Sequence, residues 1–413
     1  MQQKHHVVDI RSDTISQPTA EMRKAMFEAI VGDDVYHEDP TVKELENKGA
    51  QLFKKEAGLF VPSGTMGNLL AVMVHCSRRG TEAIVGDLSH IFLYEQGGAA
   101  HIAGVQLATI KNKPDGTFCL NELKRKFRPD DCHEPSTALV IVENTHNMCG
   151  GRVLPLEWLD QLADICKKRS TKANGGCYGG NGGGGGEDEN DVGNGNGVGG
   201  KGGSIALHMD GARVFNAAEA MGTTVDRIAR DIDSVCFCLS KGLSAPVGSM
   251  LVGSKDFINE ARRLRKALGG GMRQAGILAA AGLVALSSSV KVLKEHHRRT
   301  YRIAEAIHKL KSPFITVHID NVQTNILLIH IKTDKITASD FAARLGCVTD
   351  KELAAGVVAD KTNPNCGIIL KVSSRDWEFA RVVLYQQITD LDIDLAIKKL
   401  NYVIREYDSQ LAH

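Results

Sequence analysis

Short runs of β-branched and aliphatic residues recur through the first two thirds of the chain, at 83–85, 105–110, 138–142, 205–209, 234–238 and 250–252. Amphipathic stretches of helical length, such as 67–79 and 156–168, lie between them. Strand-length apolar runs that alternate with helices predict an α/β domain with a largely parallel sheet. After about residue 290 the rhythm changes. A long basic helix comes first, then a strand over 325–331, a helix near 339–345, and strands around 368–372 and 382–385. Thr389, with Asp392 three residues later, has the form of a capping box and starts the final helix. The expected division is a large domain over 1–289 that includes an N-terminal arm, and a smaller α+β domain over 290–413.

One segment breaks the pattern. Of the 30 residues from 174 to 203, 16 are glycine, mixed with Asn, Asp and Glu, a composition too poor in apolar side chains to support a core. It reads as a disordered insertion between the helix over 156–169 and the strand that follows. Such an insertion bulges outward from an intact fold.

Size and charge narrow the functional classes. At 413 residues the chain exceeds the length at which one core stops growing. Fifty basic residues against 49 acidic ones leave a formal charge of +1, which gives no electrostatic footprint for nucleic acid or an acidic membrane surface. A small-molecule substrate is favoured. The ten cysteines are scattered, with no CxxC pair and no matching histidine spacing, so neither a metal site nor a disulfide framework is indicated. No apolar run is long enough for a signal peptide or a bilayer span, and a cytoplasmic protein is expected.

The candidate chemistry lies at strand ends. Asp210-Gly211-Ala212-Arg213 follows the apolar run 205–209, and Ser240-Lys241-Gly242 follows the run 234–238. Ligands bind at the carboxyl edge of open α/β sheets. A carboxylate and an amine on that rim are what a pyridine cofactor needs: an acid to keep the ring nitrogen protonated, and a lysine to bond its carbonyl carbon. An aspartate capping a turn beside a solvated lysine would give the same two motifs. A third element adds to the cofactor reading. The loop Pro62-Ser63-Gly64-Thr65-Met66-Gly67-Asn68 leads into an apolar helix whose free amides suit a phosphate, although glycines there could merely shape a tight turn. His90, after the strand 83–85, reaches the same edge, where an imidazole could stack on a planar ring or move protons.

Taken in order, the motifs at 11–14, 35–41, 62–68, 89–92, 143–147, 208–213, 240–242 and 268–276 resemble the threonine aldolase family, within the fold-type-I pyridoxal-phosphate enzymes. The resemblance runs from about residue 7 to 404 and is interrupted chiefly by the glycine-rich segment. It implies a large domain of the fold-type-I transferase kind, pyridoxal 5'-phosphate as cofactor, and cleavage of L-threonine or L-allo-threonine to glycine and acetaldehyde. By the same resemblance Lys241 carries the cofactor, Asp210 pairs with its ring nitrogen, Gly64 and Thr65 take the phosphate, and His90 stacks on the ring. His133 matches a second active-site histidine. Ser12, Arg213 and Arg381 would hold the substrate carboxylate, with Arg375 competing for the last place, since 373–380 departs from the family pattern. Lys266 and Arg273 resemble residues that reach the cofactor from a neighbouring subunit, in a homotetramer built as a dimer of dimers.

Other residues in these motifs read as structural. His208, Tyr36, Glu38 and His146 could satisfy local hydrogen bonds, and Cys236 and Cys238 share one strand face as core filling. A β-eliminating lyase or transaminase of the same fold is the nearest alternative, and a catalytically silent cofactor-binding protein is a second. A nicotinamide dehydrogenase has little support, because the 64–67 loop lacks the GxGxxG form.

Overall fold

The structure, a computed structural model, describes residues 5–173, 205–374 and 378–412. The glycine-rich segment and Arg375 lie outside the described residues. On either side of that segment stand the helix Leu156–Ala173 and a strand that begins at Ala206, the helix-to-strand position expected.

The first strand, β1 (His6–Asp9), belongs to the second domain. The central sheet contains β2 (Ala57–Val61), β3 (Thr81–Gly86), β4 (Gln106–Ile110), β5 (Ser136–Glu143), β6 (Ala206–Asp210), β7 (Ser234–Cys238) and β8 (Ser249–Gly253), in the order β2-β8-β7-β6-β5-β3-β4. From β4 to β7 every pairing is parallel. β8 runs antiparallel to both β7 and β2. The mainly parallel sheet is as expected. The strand Ala57–Val61 is the one sheet member that the apolar runs above do not include.

Both faces of the sheet are covered, which is why these strands read as continuous apolar runs. Successive side chains enter different cores. Ile84, Val140, Val142, Val235 and Phe237 face one side, against the helices Pro40–Leu52, Leu156–Ala173, Val214–Met221 and Gly276–Ser287. Ala83, Val85, Leu139, Ile141 and Cys236 face the other, toward the helices Gly64–His75 and Lys255–Ala267 and the short turns after β3. Phe53, Phe215 and Phe237 anchor the first core, with Phe53 stacked on Phe237 at 4.9 Å and Phe215 edge-on to Phe237 at 5.5 Å.

The second domain holds β9 (Ile315–Thr316), β10 (Ile326–Ile331), β11 (Val358–Asp360), β12 (Asn363–Lys371), β13 (Ser373–Ser374) and β14 (Phe379–Val383). They form two small sheets, β1-β12-β11 and β13-β14-β10-β9, backed by the helices Leu293–Leu310, Ala338–Leu345 and Asp390–Leu411. Thr389 and Asp392 do form the reciprocal capping box. One expectation needs correcting. The N-terminal arm does not belong wholly to the large domain, because β1 pairs in parallel with β12 and Val8 and Ile10 enter the second core. Four apolar positions, 7, 8, 10 and 15, were too few to reveal this, since strand pairing depends on a partner more than 360 residues away.

Several histidines sit inside this fold uncharged. Burial lowers His75 to about 3 and His208, His296 and His297 to about 4. The unfolded chain takes up protons below about pH 6.5, where these folded imidazoles do not. Stability therefore falls as pH drops from about 6.5 to 4, by about 1.4 kcal/mol per pH unit for each proton involved. Urea unfolding midpoints measured between pH 7 and 5 should decline steadily, and a flat profile would contradict these assignments.

Candidate active site

Because β3, β5, β6 and β7 are parallel, their carboxyl ends share one edge, the edge where open α/β sheets bind ligands. Glu143 and Asp210 are the last residues of β5 and β6 and are register partners. Asp210 is buried. Its Oδ1 accepts from the Ala212 amide at 3.1 Å and its Oδ2 from Asn68 Nδ2 at 3.0 Å. Lys241 stands three residues beyond the end of β7 and is half-buried. Its carbonyl accepts from Ser16 Oγ at 2.8 Å, while its ammonium has no hydrogen bond or ion pair among the described residues. That charge is near enough to act on Asp13, His90 and Cys236.

The helix Gly64–His75 opens beside this rim. Ser63 caps it by accepting from the Met66 amide at 3.1 Å. The amides of Gly64 and Thr65 have no partner among the described residues, and both Ser63 and Thr65 are exposed. The helix can approach β7 so closely because Gly64 and Gly67 lack side chains: a Cβ at Gly64 would lie 2.9 Å from Cys238 Sγ, and one at Gly67 would collide with Cys236 Sγ. The two cysteines, both buried, are the floor of this approach. An open helix end with unpaired amides, a buried carboxylate and an unpaired amine are the groups that a phosphorylated pyridine aldehyde requires.

His90 follows β3 at the same edge. Its amide donates to Glu143 Oε2 at 2.7 Å, and its ring Nδ1 lies 3.0 Å from Glu95 Oε1. Burial works against a charged imidazole here, but the Glu95 hydrogen bond and the Asp210 charge outweigh it, so the His90 pKa is raised. Burial also raises Glu95, with Asp210 adding to the effect against the hydrogen bonds from His90 and Asn68. His90 Nε2 has no partner among the described residues.

The cationic side of the site is organised around Asp13. Arg213 Nε and Nη2 each donate to a different Asp13 oxygen at 2.7 Å, and both residues are buried. Burial alone would raise Asp13, yet Arg213, with Lys241 and Arg381 beyond it, brings it down to about 2. Asn325 adds a longer bond from the second domain at 3.3 Å. Arg381 on β14 donates through Nη1 to Asn147 Oδ1 at 2.6 Å and through Nη2 to the Arg11 carbonyl at 3.2 Å. Asn147 is itself fixed by its amide, which donates to Glu143 Oε1 at 2.8 Å.

The structure thus brings together Lys241, Asp210, His90, Gly64, Thr65, Arg213 and Arg381, with Ser12 on the segment between β1 and Asp13. Ser12 Oγ accepts from the Thr14 amide and hydroxyl. Two expected residues sit in different settings. Arg213 has its charge matched by Asp13, whereas the bonds from Arg381 Nη1 and Nη2 go to neutral oxygens. His133 is 86 % exposed and pairs with Asp131; it precedes β5, whose other end carries Glu143, so within one chain a strand length of about 25 Å separates it from the rim. Lys266 and Arg273 are exposed as well. Arg273 contacts Asp33 at 3.1 Å, and the turn between the two packs Gly270 against Met66, next to Thr65.

Of the residues read as structural, His208 is hydrogen-bonded, whereas buried His146 has no partner for either ring nitrogen among the described residues and Tyr36 is largely exposed. Sequence reasoning assigned no role to Asp13, Asn68, Glu95, Glu143 or Asn147. Glu143 could have been found by the argument that found Asp210, since each is the polar residue that ends an apolar strand.

Comparison with known proteins gives a consistent result. The chain matches the β-eliminating lyase family over residues 9–173 and 199–332. It is 40% identical over 392 residues to a probable low-specificity L-threonine aldolase 2 of Arabidopsis thaliana, covering 94% of this chain and 95% of that one. It is also 40% identical to the low specificity L-threonine aldolase of Escherichia coli K12, over 80% of this chain and 87% of that one. Among solved structures, a putative L-allo-threonine aldolase from Listeria monocytogenes superposes with a TM-score of 0.69 at 16% identity, covering 92% of each chain.

The Asp13–Arg213 pair makes a direct prediction. Asp13→Ala leaves a guanidinium buried without its counter-charge, which costs about 3–5 kcal/mol. Denaturant unfolding should show a loss of that order, and a loss below about 1 kcal/mol would mean that the pair is not buried in solution.

Proposed function

The chain belongs to the β-eliminating lyase family, alongside the low-specificity L-threonine aldolases, and from that premise we propose how its residues divide the work of a pyridoxal-phosphate lyase. The reaction is the cleavage of L-threonine or L-allo-threonine to glycine and acetaldehyde. The observation that carries the assignment of residues is the unpaired Lys241 amine at the rim that buries Asp210.

Bound pyridoxal 5'-phosphate supplies a carbonyl carbon that amines attack and a ring that accepts the electrons released when a bond to the substrate Cα breaks. Lys241 Nζ would hold that carbon and, once displaced by the substrate amine, serve as a nearby base or acid. Asp210 would hold the proton on the ring nitrogen, which keeps the ring electron-poor. The Gly64 and Thr65 amides would take the phosphate, aided by the helix dipole. The His90 imidazole, fixed at Nδ1 by Glu95, would cover the ring and present Nε2 to the substrate hydroxyl, whose proton must leave as the Cα–Cβ bond breaks.

Arg381 is the residue we assign to the substrate carboxylate. It stands on the second domain and is aimed by Asn147 and the Arg11 carbonyl. By holding the carboxylate, Arg381 would fix the orientation of the substrate and so help choose which bond to its Cα is cleaved. Arg213 contributes differently. It fixes Asp13 and, through it, the segment that carries Ser12 and Ser16 across the Lys241 loop.

We also propose a cytoplasmic homotetramer arranged as a dimer of dimers. Phe27, Ile30, Tyr36 and Ile277 are exposed around the segment that holds Asp33 and Arg273, an apolar surface of the kind that subunits cover. Among the described residues no single helix is long and apolar enough to cross a membrane. Sedimentation should give four times the chain mass, and an active monomer would rule the assembly out.

Glycine release from both threonine isomers tests the function. Lys241→Ala should abolish the visible cofactor absorbance together with turnover, and Asp210→Ala should weaken cofactor retention and slow turnover at least 100-fold. Keto-acid or ammonia release without glycine would instead favour a β-eliminating or transaminating enzyme of this fold. Full activity in Lys241→Ala would refute the assignment.

A further inference from the structure

Beneath Asp210 runs a line of buried polar groups that the proposed chemistry does not use. Asn68 and His75 stand seven residues apart on the helix Gly64–His75, so they lie two turns apart on one face. Between them, on the sheet, sit the register partners His208 of β6 and Ser234 of β7. His75 Nε2 lies 2.8 Å from Ser234 Oγ, Ser234 Oγ 2.8 Å from His208 Nδ1, and His208 Nε2 3.1 Å from Asn68 Oδ1. The Asn68 amide nitrogen then reaches Asp210 Oδ2 at 3.0 Å and Glu95 Oε1 at 2.9 Å. Asn68, His208 and Ser234 are almost wholly buried.

Every donor in this line has its direction fixed by the next group. Two carboxylate oxygens can only accept from Asn68, so its NH2 faces them and its carbonyl oxygen faces His208. His208 Nε2 must therefore donate. Burial keeps His208 neutral, lowered to about 4, so Nδ1 carries no proton and must accept from the Ser234 hydroxyl. Ser234 has then used its single proton and accepts from His75 Nε2. The hydrogen bonds all point the same way and end on two carboxylates that share one amide.

We propose that Asn68, oriented by the His75–Ser234–His208 relay, is a positioning residue that divides the charge between Asp210 and Glu95. The inference rests on the reading that Asp210 and His90 face the cofactor. One Asn68 N–H fixes Asp210 Oδ2, and the backbone amide of Ala212 fixes Oδ1. The second N–H joins His90 Nδ1 in holding Glu95. Reactive oxygens and nitrogen of Asp210, Glu95 and His90 lie within 4.8 Å of one another, so without the amide the two carboxylates have only the His90 proton between them. The other ionisable groups around Asp210 are its register partner Glu143 on β5, His208 on β6 and Cys236 on β7, while Lys241 acts on His90 and Cys236 beside it. The Asn68 hydrogen bond holds Glu95 down against its burial, so losing that donor makes Glu95 easier to protonate and the site then titrates at higher pH.

The test is the pH titration of the visible absorbance of holoenzyme, read with the pH profile of kcat. Asn68→Ala should move the acid-side midpoint of both upward by about one pH unit. Ser234→Ala, which removes one oxygen from the relay and leaves the amide in place, should move it the same way by a few tenths of a unit. Asp210→Ala is run in parallel. If it retains cofactor as the parent does, the reading of Asp210 fails; if it releases cofactor while the midpoints of the other two variants match the parent, the relay proposal fails alone. Should Asn68→Ala not fold, Ser234→Ala decides: an unchanged midpoint overturns the proposal.

Discussion

The constraint that shapes this rim is the cost of taking negative charge out of water. Asp13, Glu95, Glu143 and Asp210 are all almost fully buried, and an isolated carboxylate in such a place would take up a proton or unfold its surroundings. Each is instead surrounded by donors, and the donors become the site. Asp13 draws in Arg213, Glu95 draws in His90 and Asn68, and Glu143 holds the amides of His90 and Asn147. Asp210 is met by one amide from its own loop and one from the facing helix.

Glu143 shows how this ties distant parts together. One oxygen fixes the loop that carries His90; the other fixes Asn147, which holds Arg381 on the second domain. A single carboxylate at the end of β5 thus sets the relative placement of His90 and Arg381. Arg381 also grips the Arg11 carbonyl, so the arm joins the same network. In this way the reactive groups are held by an over-determined set of bonds, the arrangement that keeps a site in one geometry.

Much of the fold was legible because burial on both sheet faces leaves strand-length apolar runs, as at 234–238 and 250–252. Asp210 and Lys241 were legible because each ends such a run. The local pattern could not show what depends on a remote partner. The pairing of Arg213 with Asp13, 200 positions earlier, left no mark in the local pattern. His133 carried a family motif, yet its place before β5 puts it on the far edge within one chain. Asn68 entered only as the end of the 62–68 loop motif, and its bonds to Asp210 and His208 of β6 reveal why the position is polar. The lone β1 signal was weak for the same reason: its partner strand lies near the other end of the chain.

That partner strand has a consequence for how the protein is made. His6 to Asp9 pair with Ile368 to Lys371, so during synthesis the first strand emerges from the ribosome long before its mate exists. The last strand of the seven-stranded sheet ends at Gly253 and the helices that cover its faces end at Ser287, so that part of the chain is made well before the partner strand of Val8 and Ile10. The arm can pair only once β12 is made, and the segment from Arg11 to Ser16 that lies over the Lys241 loop follows directly after it. A chain that ended before β12 would keep the lysine and the aspartate but lack the strand that holds the arm over the Lys241 loop.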